Sequence, residues 1–464
     1  MGNRLKMALL PMYIQLYDDS WPELRERVDA FHRTIIGEFE KRGLDVVSSP
    51  VCRVQAEFEA AMESFEREGA DAVVTLHLAY SPSLESASAL AATELPLIVL
   101  NTTPTYDFSP AQHPDEILYN HGIHGVQDMC NLLLRNGKRF LIESGHWEKS
   151  DVLDRVTACV RAARISKEMK RAKVGRIGEP FQGMGDFLVS EEVLGATIGI
   201  ETISFDLHND AELFEAVSDH QIDEEMEGDK RDYQWSSFDE EAYRRSIRDC
   251  LSLRHLIEAE GLTALTVNFM AITGRSALFT MPFLEASKAM SRGIGYAGEG
   301  DVLTAALVGA LLSVYPDTSF TEMFCPDWDN DAIFLSHMGE MNVRVAANKP
   351  VLREKPFPFT DAGNPIVACG RFRGGEAVYV CLAPGADNAY TFILSRIQML
   401  DVEGMDRMED SIRGWFRPSL PTAQFLSSFS KHGGIHHGVI VYGDVIEVLE
   451  RFGDIMGWHT VTIR

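Results

Sequence analysis

The sequence predicts an α/β protein in three parts: two doubly wound α/β domains followed by a mostly antiparallel β-barrel domain. Three observations carry that prediction. At 464 residues the chain is too long for one ordinary core. Apolar strand-length runs alternate with helix-length runs up to about residue 317, the mark of parallel sheets covered by helices. Beyond it, short strands follow one another through Gly, Pro and Asn turns, the texture of an antiparallel barrel or sandwich. The expected domains are 1–171, 172–317 and 318–464.

The first domain opens with the strand KMALLPMYI (6–14) and an amphipathic helix over 22–43 that Gly43 ends. LDVVSSPV, DAVVTLHL, LPLIVLNT and RFLIESGH follow as strands, with helices near 54–68, 84–93 and 121–136 between them. No GxGxxG follows the first strand, so nothing supports a nicotinamide site. His77, His146 and Trp147 fall at strand ends and His124 at a helix start. A lone histidine in such a place is commonly a capping or hydrogen-bonded structural group.

The second domain begins with KVGRIGEPFQGMGDF (173–187), a short strand and a glycine-rich loop around Met184. The loop lacks the GK[ST] of a phosphate loop; it reads equally as a turn or as a ligand lining. A strand over 199–206, a helix over 212–219, a long helix over 240–261 and a strand over 262–269 follow. Phe269, ending that strand, reads as a core aromatic. A helix over 281–293 leads into GYAGEGD, where Asp301 caps an amphipathic helix, LTAALVGALL. Glu299 therefore stands at the carboxyl end of a strand, where open α/β sheets hold ligands.

In the third domain the strands are 343–352, the two halves of PIVACGRFRGGEAVYVCLAPG, and YTFILSRIQML, with Arg371, Phe372 and Arg373 as surface or interface residues. Helical periodicity returns only at 444–457, before a last strand, WHTVTIR. The net charge of −26 argues against nucleic-acid or anionic-membrane partners. Its acidic runs at 223–229 and 238–241 read as a solvated helix-loop face. Seven scattered cysteines make no disulfide framework, and the start, MGNRLKMALLPMYI, is too short to span a bilayer and lacks a myristoylation signal. These features suggest a cytoplasmic protein.

Glu299 and Glu322 stand 23 residues apart, and His337 comes 15 further on. His436 and His437 follow a glycine pair a hundred residues later. Such nitrogen and oxygen donors suit Mn²⁺, Co²⁺ or Mg²⁺, although no short-spacing metal motif is present.

The words GEGD-x-x-TAAL, TSF-x-E, L-x-SHM-x-E and GG-x-HH, in that order, resemble the L-arabinose isomerase family and its L-fucose isomerase-like relatives. The resemblance runs along essentially the whole chain and is densest in the last third. It implies metal ligands Glu299, Glu322, His337 and His437, with a Mn²⁺-type ion. A one-residue shift would exchange His437 for His436, which otherwise falls on the substrate side. The resemblance further implies that His124 reaches a neighbouring subunit's site, and that Phe269 lines a sugar pocket. It implies a homo-oligomer, hexamer or tetramer. GDVLTAAL lacks the family's Trp and Lys, the residues after TSF-x-E become MFCPDWDND, and PMYIQLYDD replaces a sugar-side word. Gln15 and Tyr17 stand in for part of that word, so the metal words look kept and the sugar words altered.

The reaction implied is aldose–ketose isomerisation. Glu299 and Glu322 serve as ligands and as the acid–base pair that carries a proton between C2 and C1 through an enediol. A metal-bridged hydride shift would use the same ligands. The rival readings are a sugar-binding sensor without turnover and a metal-dependent hydrolase or lyase.

Overall fold

The computed structural model describes residues 4–214, 217–236 and 238–464. The reading of the Met1-Gly2 start lies outside the described residues. The chain divides into two compact units, residues 1–166 and 167–464, and the division falls within the helix Val152–Lys170.

In the first unit, β1 (Lys6–Met12), β2 (Asp45–Ser48), β3 (Ala72–His77), β4 (Leu97–Asn101) and β5 (Leu141–Ser144) form one parallel sheet in the order β2-β1-β3-β4-β5. The order reverses between β1 and β3, the place where doubly wound sheets open a crevice at the strands' carboxyl ends. β1 and β3 are buried almost throughout, as strands covered on both faces must be. The helix Leu24–Lys41 shows why the amphipathic pattern is read correctly. Val28, Phe31, Ile35 and Phe39, at spacings of three and four, are its buried stripe.

The second unit begins with β6 (Lys173–Ile177), β7 (Glu201–Phe205), β8 (Gln234–Trp235), β9 (Ala264–Val267) and β10 (Gly295–Gly298). Four of these make a second parallel sheet, ordered β10-β9-β6-β7, which reverses between β6 and β9. The remaining strands are β11 (Thr318–Asp327), β12 (Ala332–Ser336), β13 (Val351–Glu354), β14 (Ile366–Cys369), β15 (Gly375–Pro384), β16 (Tyr390–Met399), β17 (Gly414–Pro418), β18 (His437–Tyr442) and β19 (His459–Ile463). Six of them close an antiparallel barrel: β15-β18-β11-β12-β17-β16, with β16 pairing back to β15. β19 lies parallel along the first half of β16, and β8, β13 and β14 make a small separate sheet.

Barrel and second sheet share the helix Val302–Leu312, which packs on β10, β9 and β6 and also on β11, β18 and β15. It was expected to be amphipathic. Instead ten of its eleven residues are buried, because both faces are covered. Its approach to the sheet is close: a Cβ at Gly295 would lie 2.2 Å from the Ala305 carbonyl oxygen.

Five other expectations are corrected. No long helix fills 212–219: a 3₁₀ turn spans Ala211–Leu213, Ser218 caps the helix Asp219–Asp232, and residues 215–216 lie outside the described residues. A helix over Thr422–Lys431 went unread, since its serines mask an apolar stripe that reaches the core only through Phe425 and Phe429. Residues 343–352 are not one strand, because Val343–Val345 is a 3₁₀ turn. Phe372 is fully buried rather than at the surface. The acidic run at 223–229 is also not simply solvated: Arg254 grips Glu225 at 2.7 and 2.9 Å, and buried Asp229 accepts from Tyr243 at 2.7 Å.

Candidate metal centre

Four segments of the second unit meet at the carboxyl ends of the second sheet: the corner after β10, β11, the residues after β12 and the start of β18. Glu299 follows β10 in a corner whose backbone is strained, with φ of 64° at a non-glycine residue. The corner is tightly held. Glu299 N–H donates to the Val267 carbonyl at 3.0 Å, and Gly300 N–H to the Thr266 hydroxyl at 3.0 Å. Asp301 caps the next helix by accepting from Thr304 N–H at 2.9 Å.

Register brings the other donors together. Glu322 on β11 is directly opposite Ser336 on β12 and His437 on β18, and His337 follows Ser336. Glu322 Oε1 is therefore 3.0 Å from His337 Nε2 and 3.2 Å from His437 Nε2. Glu299 Oε2 lies 3.7 Å from His437 Nε2 and 3.5 Å from His436 Nε2. One donor atom each from Glu299, Glu322, His436 and His437 fits within 4.8 Å of the others. Phe320 makes T-shaped contacts with both His337 and His437, with ring centroids 4.8 and 5.1 Å away.

Behind the histidines stand carboxylates that hold the opposite ring nitrogens. His337 Nδ1 is 2.7 Å from Glu340 Oε1, and His437 Nδ1 is 2.8 Å from Asp301 Oδ2. Glu340 and Asp301 are themselves fully buried. A carboxylate behind each imidazole fixes its tautomer and turns Nε2 inward as a lone-pair donor. His437 Nε2 is buried and makes no hydrogen bond among the described residues, although carboxylate oxygens lie near it. A buried polar atom left this way costs free energy unless something else meets it. The donor set of carboxylate oxygens and imidazole nitrogens fits a divalent cation.

The electrostatics follow from these contacts. Burial opposes charge on Glu322, but the adjacent His337 and His437 imidazoles win and hold the carboxyl well below its usual range. For His337, burial is outweighed by Glu340 and Glu322, which push the imidazole well above its ordinary value. Asp301 and Glu322 likewise raise His437 against burial. His436 is pushed up to about 9, burial being overcome by Glu299 and Asp186. Asp186 grips it twice, accepting from its backbone N–H at 3.0 Å and lying 2.6 Å from Nδ1.

The residues expected on the sugar side fall in both units. Phe269 starts a 3₁₀ turn after β9, 8% exposed, stacked on Phe181 at 5.2 Å and against Phe359 at 5.1 Å. Met184 lies in the segment after β6, half-buried. In the first unit, Gln15 begins the short helix after β1 and donates to Asp19 at 2.9 Å. His124 is exposed in the helix Gly122–Arg135, its ring 5.0 Å from that of His121. His121 Nε2 in turn meets the Tyr17 hydroxyl at 3.1 Å. His77 is structural: burial pushes its pKa down to about 3 and Nδ1 bonds Ser81 at 2.8 Å.

Asp186, Glu340 and the second role of Asp301 were missed. Each was within reach, since all three lie inside the words that were read: GMGDF, SHM-x-E and GEGD.

Residues 185–315 match the model of the L-arabinose isomerase central domain, and residues 317–459 that of the L-arabinose isomerase C-terminal domain. The L-arabinose isomerase of Anoxybacillus flavithermus is 26% identical, over 95% of this chain and 91% of its own length. Those of Geobacillus thermodenitrificans, at 26%, and Herpetosiphon aurantiacus, at 25%, align over the same shares.

Proposed function

From a chain that belongs to the L-arabinose isomerase family, as a divergent member, we propose a metal-dependent aldose–ketose isomerase acting on a small sugar. Such an enzyme is an intramolecular oxidoreductase: one carbon is oxidised as its neighbour is reduced. The single observation that carries the metal dependence is the buried Nε2 of His437, unpartnered and backed by Asp301. Glu299, Glu322, His337 and His437 would hold the ion, of the Mn²⁺ type. When bound it would polarise the sugar carbonyl and favour charge developing on oxygen.

The residues supply the rest. Glu299 and Glu322 enclose the reacting carbons, so one carboxylate takes the C2 proton and returns it to C1 through an enediol. The other handles the hydroxyl proton. Their environments differ, since Glu322 lies 3.0 and 3.2 Å from two imidazole nitrogens whereas Glu299 sits in a backbone corner. Unlike environments suit unlike roles. His436, held by Asp186 beside Glu299, faces the substrate. In a homo-oligomer, His124 and Gln15 would complete the pocket from a neighbouring subunit, and the cytoplasm would supply a free sugar. The altered words around Gln15 and after Glu322 favour an aldose other than L-arabinose.

The test is to strip the protein with chelator, restore Mn²⁺ and screen aldopentoses, aldohexoses and deoxysugars for ketose. Metal-dependent ketose that disappears in Glu299→Gln and Glu322→Gln is expected. Turnover that persists in chelator would overturn the reading.

A further inference from the structure

Where β8, β13 and β14 meet the loop between β16 and β17, a cavity of about 360 Å³ opens. Lys349, Arg353, Arg371 and Arg413 line it, against a single carboxylate, Glu409. Among the described residues, no member of the metal centre does. Four cations are thus gathered round one hollow in a chain whose net charge is −26. Backbone bonds fix its frame. Phe372 N–H donates to the Arg413 carbonyl at 2.8 Å, Arg413 N–H to the Gly370 carbonyl at 3.1 Å, and Ala347 N–H to the Arg371 carbonyl at 2.7 Å.

Arg371 stands out among the four. Its side chain is only 15% exposed, and its Nη1 is buried and makes no hydrogen bond among the described residues. Asp401 Oδ1, at 3.7 Å, is too far away to serve as acceptor. Arg353 is met only in part. Asp410 Oδ1 lies 2.8 Å from its Nε, which nonetheless makes no hydrogen bond, and Glu409 lies 3.8 Å from its Nη2. Asp406 clamps Arg413 at 2.6 Å, and Lys349 donates to the Arg231 carbonyl. Asp401, Glu409 and Asp410 are each 60% exposed or more, so water screens them and they contribute little as partners. A guanidinium offers five donors in a fixed fork, and a buried one left without acceptors costs free energy.

We infer that this cavity is a second binding site, for the phosphate group of a small ligand, with Arg371 and Arg353 as its recognition pair. A tetrahedral anion presents acceptor oxygens on several sides at once. It therefore meets guanidinium donors that the loop carboxylates leave open. Free phosphate and a phosphorylated sugar share this chemistry, and the cavity is large enough for either. The site goes beyond the isomerase reading and does not depend on which sugar the metal centre turns over.

The experiment titrates the full chain by calorimetry with inorganic phosphate and with ribose 5-phosphate, once restored with Mn²⁺ and once stripped with chelator. Parent, Arg371→Gln and Asp401→Asn are compared. Expected is binding that agrees within about threefold with and without Mn²⁺. It should weaken about tenfold or more in Arg371→Gln and tighten about threefold in Asp401→Asn. Asparagine keeps the acceptor that Gly374 N–H uses at 3.1 Å while removing a competing charge, so this variant gains affinity where a misfolded one would lose it. Tighter binding of ribose 5-phosphate names a phosphorylated sugar as the ligand, and equal affinity names the free anion; either supports the site. Binding that needs Mn²⁺, that ignores Arg371→Gln or that fails to tighten in Asp401→Asn overturns it. So does the absence of binding by both anions at about 10 mM. In each of those cases the isomerase reading still stands.

Discussion

Glu322 and His437 face each other across β11 and β18, paired in register, with Oε1 3.2 Å from Nε2. The pairing joins residues 115 positions apart by backbone geometry alone. Their separation is set by the strand spacing, and Asp301 sets the ring's tautomer from the other side.

Asp301 does two jobs with two oxygens, capping a helix and orienting His437. Asparagine caps as well as aspartate but cannot back an imidazole with charge. Asp301→Asn should therefore keep a melting temperature near that of the parent while Mn²⁺ affinity falls about ten- to a hundredfold. Calorimetric titration beside a thermal melt separates the two.

Gly298 leaves room for a ring. A Cβ there would come within 2.9 Å of His337 Cε1, and the ring is clamped by Glu340 at 2.7 Å. Gly298→Ala should displace the imidazole and weaken Mn²⁺ binding about tenfold or more. An unchanged titration would show that the ring has slack the packing does not suggest.

Asp186 holds His436 but is distant in sequence from every metal-binding word. In Asp186→Ala the imidazole is freed, and kcat should fall on the order of tenfold to a hundredfold. Mn²⁺ affinity should stay within about threefold, because His337 and His437 keep their own carboxylates. Loss of the metal instead would move Asp186 from orienting the substrate side to building the centre.

Away from the centre, Glu225 gives stability a pH dependence. Although burial opposes its charge, Arg254 and Lys288 hold its pKa down to about 2, against an ordinary 4.5. A carboxyl depressed on folding stabilises fully above its unfolded pKa and loses that contribution as pH falls through the folded one. The window is thus about pH 4.5 down to 2, and the amount is on the order of 3 kcal/mol. Acid unfolding followed by circular dichroism should show a shallower dependence in that window for Glu225→Gln. The variant should also be less stable at pH 7, because Arg254 and Lys288 lose a charge partner.

Much of this was legible before any coordinates. Val28, Phe31, Ile35 and Phe39 announce a helix, and the run from Ala72 to His77 a buried strand, because burial on one face or on both leaves a period. GEGD announces a cap after a strand. The site residues were named, but their companions were not: Glu340 acts on His337 one turn away, and Asp186 on His436 from 250 positions away. Pairings of that kind depend on strand register and loop path, which local composition does not encode. The helix Val302–Leu312 misled for a related reason, since an apolar stripe is visible in sequence but a second covered face is not.

The strands β11, β12 and β18, which bring Glu322, His337 and His437 together, each have a neighbour on both sides within a ring that closes on itself. A ring has no end from which to unzip, and slipping any one strand by a residue would turn its ligand outward while breaking two ladders. Three of the four proposed donors are thus inherited as a block, and Glu299 joins them from the corner after β10. Phe181 and Phe359, by contrast, hang from loops that tolerate change. On the proposed reading, such a molecule can exchange one sugar for another over time without ever renegotiating its metal.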